Sequence, residues 1–306
     1  MAPSRPSQKP KPPRAPSFLD LPPERRDPER SRVWLLPLPY ERTSSYRSGS
    51  ARLPDALLRA SAQVEFYDDE LACEPCRHGI ATLDPLRPRA KEPDAAVAEM
   101  GAALLDLTLR APFLAIVGGE HTVTVPAVEA AHSRYGELTV LQLDAHADLR
   151  ESYDGTRWSH ASAMRRLAEG GTPVVGAGIR AVSKEETEAL PGLPVRHFPA
   201  REIAGSDGWQ REVVEALGER VYVTVDLDAF DPSQAPSVGT PVPGGLSWYP
   251  VLRLLRLVAE ERHVVGCDVV EGCPAGGGDP TAFLAAQLLY KLLGYVLESR
   301  SAHRAP

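Results

Sequence analysis

The sequence lacks the excess of positive charge that a nucleic-acid-binding surface needs to neutralise phosphates. Its 34 Lys and Arg residues are outnumbered by 41 Asp and Glu residues, so the formal net charge is −7 at pH 7. Basic residues cluster locally near the start of the chain, between Arg5 and Arg32. We therefore expect no nucleic-acid partner.

Long hydrophobic runs are also missing. No apolar run reaches the ~18 residues that a membrane-spanning helix needs, and the N-terminal segment has no apolar core of the signal-peptide kind. Hydrophobic residues make up 43% of the chain and charged residues 25%, values typical of soluble globular proteins. We predict a soluble chain in the cytoplasm, without a membrane partner.

Cysteine is scarce, which excludes a fold built on disulfide bonds. The four cysteines are Cys73, Cys76, Cys267 and Cys273. The first two form a CxxC pair, but no second pair stands at the spacing of a zinc finger. We interpret that pair as part of a surface loop rather than as a zinc or redox site.

Residues 1–30 differ from the rest in composition. They hold nine of the 30 prolines and have almost no periodic apolar pattern. Such a segment buries too little surface to offset the entropy lost on ordering. We predict a disordered tail over residues 1–30 and a single folded domain over residues 31–306.

From Val33 onward, short apolar runs alternate with amphipathic stretches. Strands are predicted at Val33 to Pro37, Phe113 to Val117, Leu138 to Leu143, Val174 to Ile179, Val221 to Val225 and His263 to Val270. Helices are predicted at Pro54 to Ala62, Ala95 to Leu109, Val123 to Arg134, Ala161 to Glu169, Gly208 to Leu217, Tyr249 to Glu261 and Thr281 to Leu297. This alternation predicts a three-layer α/β/α domain with a central, mainly parallel sheet.

Polar residues follow three of these strands directly. Ligands of open α/β sheets bind beyond the carboxyl ends of the strands, so these residues are the place to look for chemistry. Six of them are typical metal ligands, namely His121, Asp144, His146, Asp148, Asp226 and Asp228. We predict that all six lie at one edge of the sheet.

Four carboxylates packed together repel each other unless cations neutralise them, and two divalent ions would suffice. Imidazole and carboxylate ligands suit manganese, zinc, iron or nickel, and the carboxylate majority favours manganese. Taken singly, His121 could be a helix-start or core histidine, and an Asp at a strand end is often an N-cap. Three groups at successive strand ends favour a metal site.

Five sequence runs carry a resemblance to the arginase/agmatinase ureohydrolase family. They are GGEHT at Gly118 to Thr122, LDAHADLR at Leu143 to Arg150, SHASAMRR at Ser159 to Arg166, DLDAFDPSQAPSVGTPVPGG at Asp226 to Gly245 and DVVE at Asp268 to Glu271. The run SSYRSGSARLPDALLRAS, followed by EFYDDEL, also resembles agmatinases. The similarity extends from Val33 to about Leu297 and implies the arginase/deacetylase-like arrangement of the sheet.

The resemblance implies that six residues bind two manganese ions. One ion would be held by His121, Asp144, Asp148 and Asp226. The other would be held by Asp144, His146, Asp226 and Asp228. Asp144 and Asp226 would then bridge the two ions, and Asp148 would orient the attacking hydroxide that the ions generate.

Three further residues are implied by the same resemblance. His160 matches a histidine that moves a proton to the leaving amine, a role suited to an imidazole that titrates near physiological pH; the alternative is a residue that only begins the helix after it. Glu271 matches the carboxylate that pairs with the substrate guanidinium. Thr240 either contacts the substrate or only satisfies the backbone of its Gly/Pro-rich loop.

The sequence departs from the family at Gly272, Cys273 and the Gly-rich segment 275–280, which leaves the preferred substrate open. The leading hypothesis is hydrolysis of agmatine to putrescine and urea by a homo-oligomer, a trimer or hexamer. The alternatives in the same chemistry are N1-aminopropylagmatine, guanidinobutyrate and arginine. A non-catalytic relative that binds a partner through its Pro-rich tail and a mononuclear zinc deacetylase are the alternatives of other classes.

Overall fold

The apolar runs form one sheet, in which eight strands are described. In the computed structural model, residues 16–302 are described. The strands are β1 (Val33–Leu38), β2 (Ile80–Thr82), β3 (Leu114–Gly118), β4 (Thr139–Leu143), β5 (Val174–Ile179), β6 (Val195–Pro199), β7 (Arg220–Asp226) and β8 (His263–Val270). The spatial order is β2-β1-β3-β8-β7-β4-β5-β6. Every pairing between these strands is parallel.

Helices cover both faces of the sheet, as a parallel sheet requires. They are α1 (Leu53–Ser61), α2 (Pro93–Arg110), α3 (Thr124–Tyr135), α4 (Ala163–Glu169), α5 (Lys184–Ala189), α6 (Ala200–Ile203), α7 (Trp209–Ala216), α8 (Trp248–Glu261) and α9 (Pro280–Ala302). One apolar core contains side chains of α1, α7, α8 and α9, and a second contains those of α2, α3 and α4. The predicted three-layer α/β/α fold is therefore confirmed.

Helix α9 is apolar around most of its circumference. Its window Pro280–Ser299 is long and hydrophobic enough to cross a membrane by length and composition, yet 72% of that window is buried inside the protein. The helix packs against α1 and α8. A helix that is hydrophobic on all sides and enclosed by its own chain belongs to the core of a globular protein.

The elements that the sequence pattern did not predict are β2, β6, α5 and α6. Strand β2 has three residues and β6 lies at the opposite edge, where Arg196 is exposed. An edge strand is covered less completely than a central one, so its sequence lacks a continuous apolar run. Helix α5 has almost no apolar face, but Ser183 and Glu186 form a capping box that begins it.

The predicted disordered tail differs from the structure over residues 16–30. Phe18, Leu19 and Leu21 are buried in the core beside α1 and α9. The backbone amide of Phe18 donates to Thr82 Oγ1 at 2.9 Å, and that of Leu19 donates to Ser61 Oγ at 2.8 Å. These three apolar side chains supply the burial that the Pro-rich composition obscured. Residues 1–15 of the predicted tail lie outside the described part of the chain.

Gly119, directly after β3, is a point of close backbone contact. An added Cβ there would lie 2.0 Å from the carbonyl oxygen of Tyr40. The neighbouring amide of Glu120 donates to that same carbonyl at 2.9 Å, and the amide of Glu271 donates to the Gly119 carbonyl at 2.8 Å. The loop after β3 is therefore tied to the segments after β1 and β8.

We expect Gly119→Ala to destabilise the metal-free protein by about 1–3 kcal/mol, because the new methyl group would overlap backbone atoms that cannot move freely. The matched control is Gly101→Ala in α2, where an added Cβ would lie 3.7 Å from Pro126. That variant should be neutral or stabilising by up to ~1 kcal/mol. Urea denaturation measures both; equal stability of the two variants would contradict the steric argument.

Candidate active site

The candidate site lies at the carboxyl ends of the four central strands β3, β8, β7 and β4, which are neighbours in the sheet. The predicted residues are brought together there. His121 follows β3, and Glu271 follows β8. Asp226 is the last residue of β7, and Asp228 lies just beyond it. The remaining three, Asp144, His146 and Asp148, follow β4. Each of these side chains is buried except that of His146, which is 29% exposed.

His121 is the centre of the first group of ligand atoms. Its Nδ1 lies 3.1 Å from an oxygen of Asp144, 3.0 Å from Asp148 and 3.6 Å from Asp226. The ligand atoms of His121, Asp144 and Asp226 all lie within 4.8 Å of one another. One nitrogen and several carboxylate oxygens at this spacing could hold a divalent cation.

The second group surrounds His146. Its Nδ1 lies 3.0 Å from an oxygen of Asp228 and 3.7 Å from one of Asp144. The ligand atoms of Asp144, His146 and Asp228 again lie within 4.8 Å of one another. Because Asp144 belongs to both groups, the two candidate cation positions are adjacent.

A carboxylate and a threonine fix the orientation of the His121 ring. His121 Nε2 lies 2.8 Å from Thr224 Oγ1, and that hydroxyl donates to Asp268 Oδ1 at 2.6 Å. Since the single Thr224 proton points to Asp268, Nε2 must be the ring nitrogen that carries hydrogen. The Nδ1 lone pair then faces the carboxylates, as a metal ligand requires.

The residues present fit a pair of cations by an independent observation. His121 Nδ1 is buried and has no hydrogen-bond partner among residues 16–302, although three carboxylates surround it. A buried polar atom without a partner is costly. A cation between this nitrogen and the carboxylates would satisfy all of them.

Without cations, protons would have to neutralise the site. Burial raises the pKa of Asp148 to about 7, and the charge of Asp144 acts in the same direction. Burial alone would lower the pKa of His146, but its carboxylate neighbours Asp144 and Asp228 raise it to about 11. The pKa of His121 is likewise raised by Asp144 and Asp148 against the effect of burial. Protons and cations therefore compete for the same place.

Two of the site residues have left-handed backbone conformations that are unusual for residues other than glycine. The φ angle is 53° at Asp148 and 66° at Glu271. Such conformations cost about 1–3 kcal/mol each and occur mostly at functional sites. At Asp148 the left-handed conformation turns the backbone so that the carboxylate reaches His121. A residue in a regular extended strand at this position would not be turned in this way.

An open cavity of about 410 Å³ leads to this group of residues. Glu271 lies in its wall, and its Oε1 accepts a hydrogen bond of 2.7 Å from the His121 amide. Thr240 also lines the cavity, with its hydroxyl 3.4 Å from His146 Nε2. The mouth carries Tyr46, which is 77% exposed, and Tyr153.

His160 begins a short 3-10 turn at His160–Ser162 and lines the same cavity. Its Nδ1 lies 3.0 Å from Thr43 Oγ1, and its ring packs edge-on against Tyr153. Burial lowers the pKa of His160 to about 4, helped by positive charge on His146 and His121. The imidazole is therefore neutral at pH 7, whereas the sequence analysis expected titration near that pH.

The departures from the family pattern lie behind Glu271 and not in the cavity wall. An added Cβ at Gly272 would meet side-chain atoms of Leu53 and Leu227 at 2.7 and 2.8 Å. Cys273 is buried, and burial raises the pKa of its thiol to about 12, which makes it unreactive. The Gly-rich residues 276–278 line a separate cavity of about 740 Å³ beside α1.

Sequence reasoning missed the residues that hold the predicted ones in place. These are Thr43, Glu120, Gln142, Thr224 and, in its supporting role, Asp268. Asp268 offered a signal, because a carboxylate inside the apolar run of β8 is buried and must have partners. The threonines offered none, since a hydroxyl residue fits many environments.

Comparison with known proteins gives a family match for most of the chain. A family model described as the arginase family matches residues 31–294. The N(1)-aminopropylagmatine ureohydrolase of Synechocystis sp. is 40% identical over 275 residues, which cover 88% of this chain and 90% of that protein. The agmatinase of Pyrococcus horikoshii is 30% identical over 261 residues, covering 85% and 90%. The structure of agmatine ureohydrolase from Thermoplasma volcanium aligns with a TM-score of 0.82 at 29% identity, covering 92% and 95%.

We expect the purified protein to bind two manganese ions per chain, and Asp144→Asn to bind neither tightly, because Asp144 belongs to both groups of ligand atoms. The matched control is Asp106→Asn, which removes an exposed carboxylate paired with Arg110. Metal analysis after equilibrium dialysis measures the occupancy. Two ions retained by Asp144→Asn would overturn this arrangement of the site.

Metal binding at pH 7 should release protons, because coordinating imidazoles and carboxylates must be unprotonated. In the metal-free protein the pKa of His146 is raised to about 11 and that of Asp148 to about 7, and the pKa of His121 is raised as well, so the site holds protons that a metal would displace. Metal affinity should therefore increase with pH. Titration calorimetry in two buffers of different ionisation enthalpy counts the protons; a binding enthalpy independent of the buffer would contradict this expectation.

Proposed function

The chain belongs to the arginase family and is a ureohydrolase acting on guanidino compounds. From this premise we propose that its substrate is N1-aminopropylagmatine. The products would be urea and the polyamine that remains. The observation that carries this choice is the identity of 40% to a relative of that name, against 33% and 30% to two agmatinases. Agmatine, the leading hypothesis from sequence, becomes the second candidate.

Glu271 is the proposed partner of the substrate guanidinium. Its pKa is raised by burial, and the charge of Glu120 acts in the same direction. A planar guanidinium supplies the positive charge and the paired N–H donors that such a carboxylate accepts best. The hydrogen bond from the His121 amide to Oε1 holds the carboxylate in place beside the metal ligands.

Two divalent cations, held by His121, Asp144, Asp148, Asp226, His146 and Asp228, would lower the pKa of water and so supply a nucleophile near neutral pH. We propose manganese because carboxylates outnumber imidazoles in this set. Asp148 lies in the cavity wall, where its carboxylate can accept a proton from the attacking water and orient it.

His160 is the proposed proton carrier to the leaving amine. It is neutral at pH 7 because burial lowers its pKa, so it can accept a proton first and donate it afterwards. Thr240 would add a hydroxyl contact near His146 at the cavity wall. Tyr46, exposed at the mouth, offers an aromatic face to a cationic tail.

The alternatives of other classes have less support. A non-catalytic relative would not need two adjacent groups of ligand atoms, and the chain is an enzyme by its family. A mononuclear zinc deacetylase would need one such group. We also propose a cytoplasmic location and a trimer or hexamer. Light scattering, which measures the mass of the assembly in solution, tests the oligomeric state.

With manganese bound, the enzyme should release urea from N1-aminopropylagmatine with a kcat/KM at least ~10-fold above that for agmatine, which corresponds to about 1.4 kcal/mol of extra transition-state binding. Guanidinobutyrate and arginine should be poorer still. A urea assay over the four compounds measures this order. A preference for agmatine would return the assignment to the sequence-based hypothesis.

Two variants test whether urea is released at this site. Glu271→Gln should lower kcat/KM roughly 100-fold, since a hydrogen bond to a charged group is worth about 1.5–3 kcal/mol. Glu260→Gln, which removes an exposed carboxylate on α8, should match the wild type. Absence of urea from all four guanidino compounds, with metal content verified, would refute the proposed function.

A further inference from the structure

A buried hydrogen-bonded chain of three residues, Glu120, Thr43 and His160, lies behind the cavity. Glu120 is fully buried and is a member of neither group of metal-ligand atoms. Its carboxylate accepts hydrogen bonds from the backbone amides of Arg42 and Thr43 at 2.7 and 2.8 Å. It also accepts from the hydroxyls of Thr122 and Thr43 at 2.8 and 3.2 Å. Toward these four donors the carboxylate is the acceptor.

The hydroxyl of Thr43 has one proton and three polar neighbours. The proton is donated to Glu120 Oε1 at 3.2 Å. The oxygen of the hydroxyl accepts from the backbone amide of His160 at 3.1 Å. Its remaining neighbour is His160 Nδ1 at 3.0 Å, which must therefore donate a hydrogen of its own.

This count assigns the tautomer of the neutral His160 ring. Nδ1 carries the hydrogen and is turned to Thr43, so Nε2 is the nitrogen that carries the lone pair. His160 lines the cavity that Glu271 and Asp148 also line. The lone pair is thus the part of the ring that is available to accept a proton from the reacting groups and pass it on.

We propose that Thr43 is a positioning residue of the hydrolytic reaction, which, with Glu120 behind it, holds His160 in the tautomer whose Nε2 serves as proton carrier. The inference rests on the proposed function, because it assigns no task to Thr43 apart from His160. Three hydrogen bonds join residues 42–43 to Glu120 in the loop after β3, and a further one joins Thr43 to His160 Nδ1.

Replacement of Thr43 by valine removes the hydroxyl at nearly constant shape. Thr43→Val should lower kcat for urea release by roughly 100-fold, the lower end of what general acid–base catalysis contributes. KM and manganese content should stay within about threefold of the wild type, because neither depends on the ring tautomer. Thr43→Ser keeps the hydroxyl and should recover most of kcat.

Two comparisons separate positioning from a merely structural effect. Thr122→Val also removes a hydroxyl bonded to Glu120 but leaves the Thr43 hydroxyl that contacts His160 Nδ1 in place, so its kcat should be at least tenfold above that of Thr43→Val. In a His160→Asn background, Thr43→Val should cost almost nothing further, since the residue it positions is gone. Urea denaturation checks that each variant folds; if Thr43→Val does not, Thr43→Ala is compared in the same way.

The possible results divide clearly. A wild type that releases no urea from any guanidino compound refutes the proposed function and this inference with it. An active wild type with an equally active Thr43→Val variant refutes the inference alone. The inference also fails if Thr43→Val lowers kcat by the same factor with and without His160, because the effect would then not pass through that ring.

Discussion

Mutual repulsion among four buried carboxylates is the constraint on which the site depends. Asp144, Asp148, Asp226 and Asp228 lie together where β4 and β7 end, almost without access to solvent. Charges buried in this way need compensation by opposite charge. The two imidazoles can supply it as cations only while they hold extra protons. Divalent ions supply it more completely, and they free His121 and His146 to act as neutral ligands.

The same device orients two histidines with different tasks. A buried carboxylate takes the proton of a threonine, and the threonine oxygen then faces the histidine: Asp268 and Thr224 do this for His121, and Glu120 and Thr43 for His160. In the first case Nε2 carries the hydrogen, and in the second Nδ1 does. A threonine between the two partners transmits the orientation of the hydrogen bonds without placing a negative charge against the ring.

The sequence predicted the central strands and the polar residues that follow them, and it missed the edge strands and the supporting residues in loops. Central strands such as β7 and β8 are covered on both faces, so their apolar runs are recognisable, and the ligands after them follow from the parallel topology. Strand β6 at the sheet edge has half-exposed positions and no such run. Thr43 was unpredictable because it meets His160 across a separation of 117 residues, through a hydroxyl that carries no periodic signal.

The two ends of the proposed substrate correspond to the same two kinds of residue, those at strand ends and those in loops. Under the proposed function, the guanidino end of the substrate would meet residues fixed by strand ends, namely Glu271 and the candidate metal ligands, and this part of the substrate is shared by every candidate compound. The other end would then meet loop residues at the mouth of the cavity, among them Tyr46 and Tyr153. The segment after β1 belongs to both regions, since Thr43 contacts His160 in the interior and Tyr46, three residues later, is exposed at the mouth. Under the proposed function, a change in this short segment should therefore affect both proton transfer and substrate preference.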